Sequence, residues 1–159
     1  MMPNVCQSTL KVYGPAHRVE RARKSDRRFF FRVVEQLKIQ LPPTRPVVVL
    51  AGRQFSTKHG DCGLIDYRFR ICVSRELNES QAVDVLLHEW AHALSWDTRV
   101  DTAAKSRSVS EYEFDRLTHG PKWGLAFSEV YRCFVGTIMP HLECEDLNAA
   151  VLNRMGGRR

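Results

Sequence analysis

The sequence predicts a single domain of α+β class, on three observations. Four segments repeat apolar residues at helical spacing, and two others show the β-branched runs or the alternation that are typical of strands. Hydrophobic residues make up 43% and charged residues 26% of the 159 positions, which is a globular composition. A chain of this length buries a sizeable core without disulfides.

The first helix is predicted over residues 26–40. Its apolar stripe consists of Phe30, Val33, Val34 and Leu37. Asp26 suits the N-cap position, and Pro42-Pro43 ends the helix. The run Phe29-Phe30-Phe31 is compatible with a base-stacking platform, but a core role is favoured because the run coincides with the stripe.

Two strand segments follow. Pro46–Leu50 is a short β-branched run and predicts a buried strand. Gly60 and Gly63 mark a loop, and residues 63–74 alternate in the manner of a strand or a hairpin. We expect the edge of this sheet along Leu64–Val73 to accept an extended peptide by strand addition.

Three further helices are predicted. Asn78 and Gln81 form a capping box for a helix that runs to about Trp96. Residues 97–118 are polar and predict a long loop. Pro121 opens a helix that ends near Gly136, and residues 140–152 form a last short helix.

The net charge of +6 is concentrated at the N-terminus. Residues 1–32 contain eight basic and two acidic residues, whereas the remaining 127 residues balance at 16 of each. We therefore divide the chain into a basic arm (1–25), a domain (26–155) and a basic tail (156–159). The basic residues in and just after the arm predict contact with a polyanion, DNA first, through Arg18, Arg21, Arg23, Lys24, Arg27 and Arg28. A solvated charged helix face is the alternative.

His88-Glu89-Trp90-Ala91-His92 is an H-E-x-x-H motif within the predicted second helix. Residues four apart on a helix share a face, so both imidazoles reach one zinc ion. Glu89 is rotated about 100° from His88, beside the metal, where it acts as general base on the attacking water. The motif predicts a zinc hydrolase with one Zn²⁺ per chain.

A catalytic zinc needs a third protein ligand. His119 is favoured because it lies next to Gly120 at the start of a helix, where the backbone can turn sharply. Four acidic residues compete with it: Glu111, Glu113, Asp115 and Glu129. Glu129 is the strongest of these, because a glutamate on a helix is the third ligand in thermolysin-type sites. We interpret His17, His59 and His141 as non-ligands.

The cysteine spacing and the hydropathy indicate in which cellular compartment to expect the protein. The five cysteines have no C-x-x-C pair, so we interpret them mainly as small core residues. No apolar run approaches the roughly 18 residues that span a bilayer. No signal peptide is recognisable, so we expect a cytoplasmic protein, associated with the nucleoid if it binds DNA.

Together, HEWAHALSW and the later HGPKW resemble the SprT/Spartan family of zinc metallopeptidases. The upstream segment GDCGLIDYRFRICVSREL is similar to the short strands of that family, and the likeness covers about residues 28–136. The resemblance implies a zincin-like minimal metallopeptidase with three short strands and about four helices. It also implies that His88, His92 and His119 hold the zinc in a cleft between the two central helices.

The resemblance further implies proteolysis of DNA-associated proteins, including proteins crosslinked to DNA. Two features depart from the family. The segment between His92 and His119 is longer than in eukaryotic members, and the zinc ribbon of many bacterial members is missing. A short form without the ribbon resembles the versions carried by phages and other mobile elements. Two alternatives stay open: a processing protease or toxin that cuts one protein, and a non-catalytic, zinc-containing nucleic-acid-binding module.

Overall fold

A computed structural model describes residues 27–53, 58–105 and 109–156. It is an α+β fold with a three-stranded mixed sheet. The strands are β1 (Val47–Arg53), β2 (Gly60–Ile65) and β3 (Arg68–Ser74). The helices are α1 (Arg28–Gln40), α2 (Glu79–Leu94), α3 (Thr98–Lys105), α4 (Glu111–Thr118), α5 (Pro121–Cys133) and α6 (Met139–Gly156). The predicted class is confirmed.

The sheet has β3 at its centre, parallel to β1 and antiparallel to β2. Residues 63–74, predicted as a strand or a hairpin, contain the end of β2 and all of β3, joined by a turn at Asp66-Tyr67. The prediction that Leu64–Val73 forms an open edge of the sheet is wrong for the residues of β3, because β3 is hydrogen-bonded to β1 on one side and to β2 on the other. The strand edge on this side belongs to β2, which begins at Gly60.

The core lies between the sheet, α1 and α2. The predicted stripe of α1 is buried, with Phe30 and Leu37 inaccessible to solvent. Phe29 and Phe31 pack against that core, so the core interpretation of the phenylalanine run is confirmed. The predicted N-cap is wrong, because α1 begins after Arg27 and Asp26 lies outside the described residues.

Residues 97–118 are not a loop, as the sequence predicted. They contain α3 and α4, each eight residues long. Ser110 begins α4 with a capping box to Glu113, which satisfies backbone groups at the helix start. This local hydrogen bonding stabilises α4 although Tyr112 and its polar neighbours face solvent.

The predicted break between Gly136 and Pro140 is also absent. A π-helical segment, Phe134–Ile138, joins α5 directly to α6, and its backbone stays helical on both sides. The π-helical segment ends two residues before Pro140, which has no N–H to donate to a helix ladder. None of the helices in the described ranges is long and apolar enough to cross a membrane.

Candidate metal centre

Helix α2 carries the first part of the site. Its N-terminus is fixed by the predicted capping box, in which the Asn78 side chain accepts from the Gln81 N–H and the Gln81 side chain accepts from the Asn78 N–H. His88 and His92 lie one turn apart, and their Nε2 atoms are 3.2 Å from each other. The opposite face of α2 is buried in the core, with Trp90 inaccessible to solvent. The two imidazoles are therefore held on a rigid element.

His119 completes the cluster from the C-terminal end of α4. Its Nε2 lies 3.3 Å from the Nε2 of His88, although 31 residues separate them. The other ring nitrogen, Nδ1, is 3.0 Å from a carboxylate oxygen of Asp115. A carboxylate at Nδ1 orients the ring, so that Nε2 points towards the other two histidines as a candidate ligand atom.

Glycine at position 120 lets the chain turn at His119. A Cβ there would lie 2.5 Å from the main-chain oxygen of Arg116, closer than side chains approach a backbone. The φ angle is −71°, so the requirement is for space rather than for a left-handed conformation. Pro121 then starts α5, as predicted.

The three histidines fit a metal ion. Their candidate ligand atoms all lie within 4.8 Å of one another. Two nitrogens that bind one tetrahedral zinc at about 2.0–2.1 Å are roughly 3.3–3.4 Å apart, close to the spacings from His88 to its two neighbours. Burial lowers the pKa of His88 to about 4 and that of His92 to about 3. Both rings are therefore neutral at pH 7, as ligands must be.

The indole ring of Trp123 packs against the rings of all three histidines. Its ring centroid lies 4.9 Å from His88, 5.6 Å from His92 and 4.9 Å from His119. Phe127 stacks on Trp123 at 5.0 Å from the next turn of α5. The sequence contained Trp123 within HGPKW, but its contact with every ligand of the cluster follows only from the packing of α5 on α2.

Glu89 is buried beside the cluster, with 8% of its surface exposed. Burial, and next the nearby Asp61, raise its pKa to about 8, while Lys58 acts in the opposite direction. A bound cation would favour the ionised carboxylate and oppose this shift. The proton affinity of Glu89 therefore depends on whether the three histidines hold a cation.

Gly60 brings β2 against Glu89. A Cβ at this position would lie 2.9 Å from Oε1 of Glu89 and would collide with Val85 on the same helix. The sequence suggested only a loop glycine here. Its role depends on contact across 29 residues, which periodicity and turn propensity do not report.

The competing ligands do not join the cluster. Among the described residues, the group that could hold a metal ion consists of His88, His92 and His119 alone. Glu129 is exposed on α5, and Glu113 is used in the cap of α4. Asp115 contacts the ring of His119 instead of replacing it.

The other histidines agree with their interpretation as non-ligands where the structure describes them. His141 pairs with Glu145 on α6. His59 is exposed, and its main-chain oxygen accepts from the Ser74 N–H. His17 lies outside the described residues.

The predicted nucleic-acid contacts divide into two groups. Arg18, Arg21, Arg23 and Lys24 lie outside the described residues, as does the basic tail at 157–159. Arg27 is 3% exposed and donates to the main-chain oxygens of Ser74 and Leu77, so its assignment to nucleic-acid binding is corrected to a structural role. Arg28 is exposed and stays a prediction.

Comparison with known proteins assigns no relative. No protein-family model, curated protein or solved structure matches this chain. A function must therefore follow from the side chains of the cluster and from their surroundings.

Proposed function

We propose that this chain is a zinc-dependent endopeptidase with a zincin-like fold, of the SprT/Spartan type that its motifs resemble. One observation carries the proposal. Three histidines from α2 and the end of α4 converge, and a buried glutamate follows the first of them directly. A purely structural metal site has no use for Glu89, so the buried carboxylate favours hydrolysis over a non-catalytic binding module.

The residues divide the chemistry between them. His88, His92 and His119 would hold the zinc, with one position of a tetrahedral ion left for water or substrate. A bound zinc supplies Lewis acidity, which lowers the pKa of water and polarises a peptide carbonyl. Glu89 takes a proton from the attacking water and delivers it to the leaving amine. Its burial excludes bulk water from that transfer.

The substrate would lie along β2. This strand pairs with β3 on one side, and its other side has no strand partner among the described residues. An extended peptide can hydrogen-bond to such an edge. Because β2 begins at Gly60, against Glu89, a peptide on this edge would pass the general base. The natural substrates would be proteins associated with DNA, as the resemblance implies.

The test measures bound zinc and protein cleavage on the same preparations. Wild type should bind about one zinc per chain and cut an unfolded protein such as casein. Glu89→Gln should keep the zinc and lose cleavage by roughly a hundredfold or more, since general base catalysis contributes about that much. The proposal would be overturned if the wild-type protein bound no zinc. It would also be overturned if the Glu89→Gln variant cleaved protein as fast as wild type does.

A second pair of variants tests the third ligand. His119→Ala should lose most zinc affinity. His141→Ala is the matched control, because this histidine pairs with Glu145 on α6 and is outside the cluster. Equal zinc binding by the two variants would show that His119 is not a ligand.

A further inference from the structure

The turn between β2 and β3 displays a tyrosine at a conformational cost. Asp66 and Tyr67 both have positive φ angles, 48° and 61°. This left-handed conformation suits glycine or asparagine in a two-residue hairpin turn and is unfavourable for a tyrosine. The Tyr67 side chain is nevertheless placed in solvent, with the residue 81% exposed. Neither the local backbone nor the core explains this choice of residue.

One arginine contacts the exposed ring, and two more lie on the strand that follows it. The guanidinium carbon of Arg45 lies 5.5 Å from the centroid of the Tyr67 ring. Arg68 follows directly, and Arg70 lies on the same face of β3, because the alternate residues Phe69 and Ile71 point into the core. We define Arg45, Tyr67, Arg68 and Arg70 as the hairpin-tip patch.

The cations of the hairpin-tip patch are not neutralised within the described part of the chain. None of the ion pairs found there involves Arg45, Arg68 or Arg70. Between residues 62 and 75 the sequence contains one acidic residue, Asp66. The hairpin-tip patch therefore combines a net positive charge with a flat aromatic surface.

We propose that the hairpin-tip patch binds single-stranded nucleic acid. An unpaired base would stack on the accessible face of Tyr67, and the arginines would bind the phosphates on either side. A duplex keeps its bases stacked on each other and offers no free base to the ring. An acidic peptide could bind the arginines of the patch. Such a ligand would not explain why an exposed aromatic side chain occupies a left-handed turn.

This surface lies at the far end of β2 from the metal centre. Gly60 contacts Glu89, and Ile65 ends the strand beside the turn. Five residue steps of an extended strand span about 17 Å. A nucleic acid bound at the tip would thus lie roughly 17 Å along β2 from the residue that contacts Glu89. The binding inference does not depend on peptidase activity, and each can fail alone.

The first test is the fluorescence anisotropy of a labelled 12-nucleotide oligothymidine with the full chain and its Tyr67 variants. Tyr67→Asn removes the ring but suits positive φ, so the variant should melt no lower than wild type. Its affinity for the oligonucleotide should fall at least about fivefold, the lower end for loss of one stacked base. Tyr67→Phe keeps the ring and should bind as wild type does.

Salt dependence tests the arginines. Each phosphate contact on a single strand contributes about 0.7 to the slope of log affinity against log salt. Arg68→Gln and Arg70→Gln should each reduce that slope by about this amount. A duplex of the same length should bind more weakly, with an affinity that Tyr67→Asn leaves unchanged.

Tyr112→Ala is the matched control. This tyrosine is also exposed, at 70%, and Arg116 lies 5.8 Å from its ring, but Glu111, Glu113 and Asp115 surround it in sequence. Its loss should leave affinity unchanged. Three results would each overturn the proposal: no binding by wild type at low salt, unchanged binding by the Tyr67 and arginine variants, or an equal loss in Tyr112→Ala.

Discussion

At the scale of single residues, Gly120 controls the position of the third histidine. A Cβ at this position would press against the main-chain oxygen of Arg116, and the backbone, unlike a side chain, cannot rotate away. We expect Gly120→Ala to shift His119 and to weaken zinc binding roughly tenfold or more, the range found when ligand positioning is disturbed. A competition titration with a chromogenic chelator measures this.

The matched control for this variant is Gly124→Ala, one turn later on α5. A Cβ at Gly124 has no atom within 4 Å, and alanine favours a helix interior over glycine by roughly 0.5–1 kcal/mol. This variant should bind zinc normally and unfold at a slightly higher temperature. Equal zinc affinities for the two variants would mean that the tight turn at Gly120 does not position His119.

The buried Glu89 predicts a pH effect on the stability of the metal-free protein. Its pKa is about 8 in the folded chain and 4.5 in the unfolded reference. Between these values the folded state keeps a proton that the unfolded state releases, so the free energy of unfolding falls as pH rises. Glu89→Gln lacks this titration. The stability of the variant relative to wild type should therefore increase from pH 4.5 to pH 8.

Urea unfolding at several pH values, with a chelator present, measures this difference. His88 and His92 act in the opposite sense, because their pKa values are lowered by burial and stability is lost as pH falls below 6.5. Wild type and Glu89→Gln share these histidines, so the contribution of His88 and His92 to the pH dependence cancels when the two are compared. A difference that stays constant with pH would show that Glu89 is ionised in the folded, metal-free chain.

At the scale of elements, the site was easiest to predict where its signal was local, and His119, favoured from the separate segment HGPKW, was the exception. The H-E-x-x-H spacing and the capping box at Asn78 lie within one helix, and both were readable from the sequence. The same type of cap, Ser110 to Glu113, begins α4, but it was missed because that helix is only eight residues long and mostly polar. The contact of Gly60 with Glu89 joins different elements, and local patterns carry no record of it.

The dependence of α4 on its cap can be measured. An isolated eight-residue helix is marginal in water, so the loss of one cap has a visible effect. Ser110→Ala removes the acceptor for the Glu113 N–H and should cost about 1 kcal/mol of local stability. Amide hydrogen exchange in residues 111–118 should then quicken about fivefold, the factor that 1 kcal/mol represents.

Ser110→Asp is the conservative comparison, because aspartate is an equally good N-cap residue. It should retain the exchange rates of wild type. If Ser110→Ala exchanges no faster than Ser110→Asp, the packing of α4 on α3, rather than its cap, holds the helix.

At the scale of the whole molecule, the chain has a well-packed body and a weakly attached helix pair. The sheet, α1, α2 and α5 share one core, whose position the apolar patterns predicted. Residues 112–116 of α4 are all exposed, and α4 packs mainly on α3. His119 links this pair to α2 through the Nε2 pairing with His88. The sequence favoured His119 as the third ligand, but it did not predict the two short helices that carry this histidine, because both are short and mostly polar.

This division predicts two levels of response to metal removal. Zinc at a thousand times its dissociation constant would stabilise the folded chain by about 4 kcal/mol. After chelation, the amides of α4 should lose most of their protection from hydrogen exchange, because the link through His119 is released. The amides of β3 and α2 should stay protected by the core. Uniform loss of protection would mean that the ion holds the entire fold, and no change in α4 would mean that His119 does not bind it.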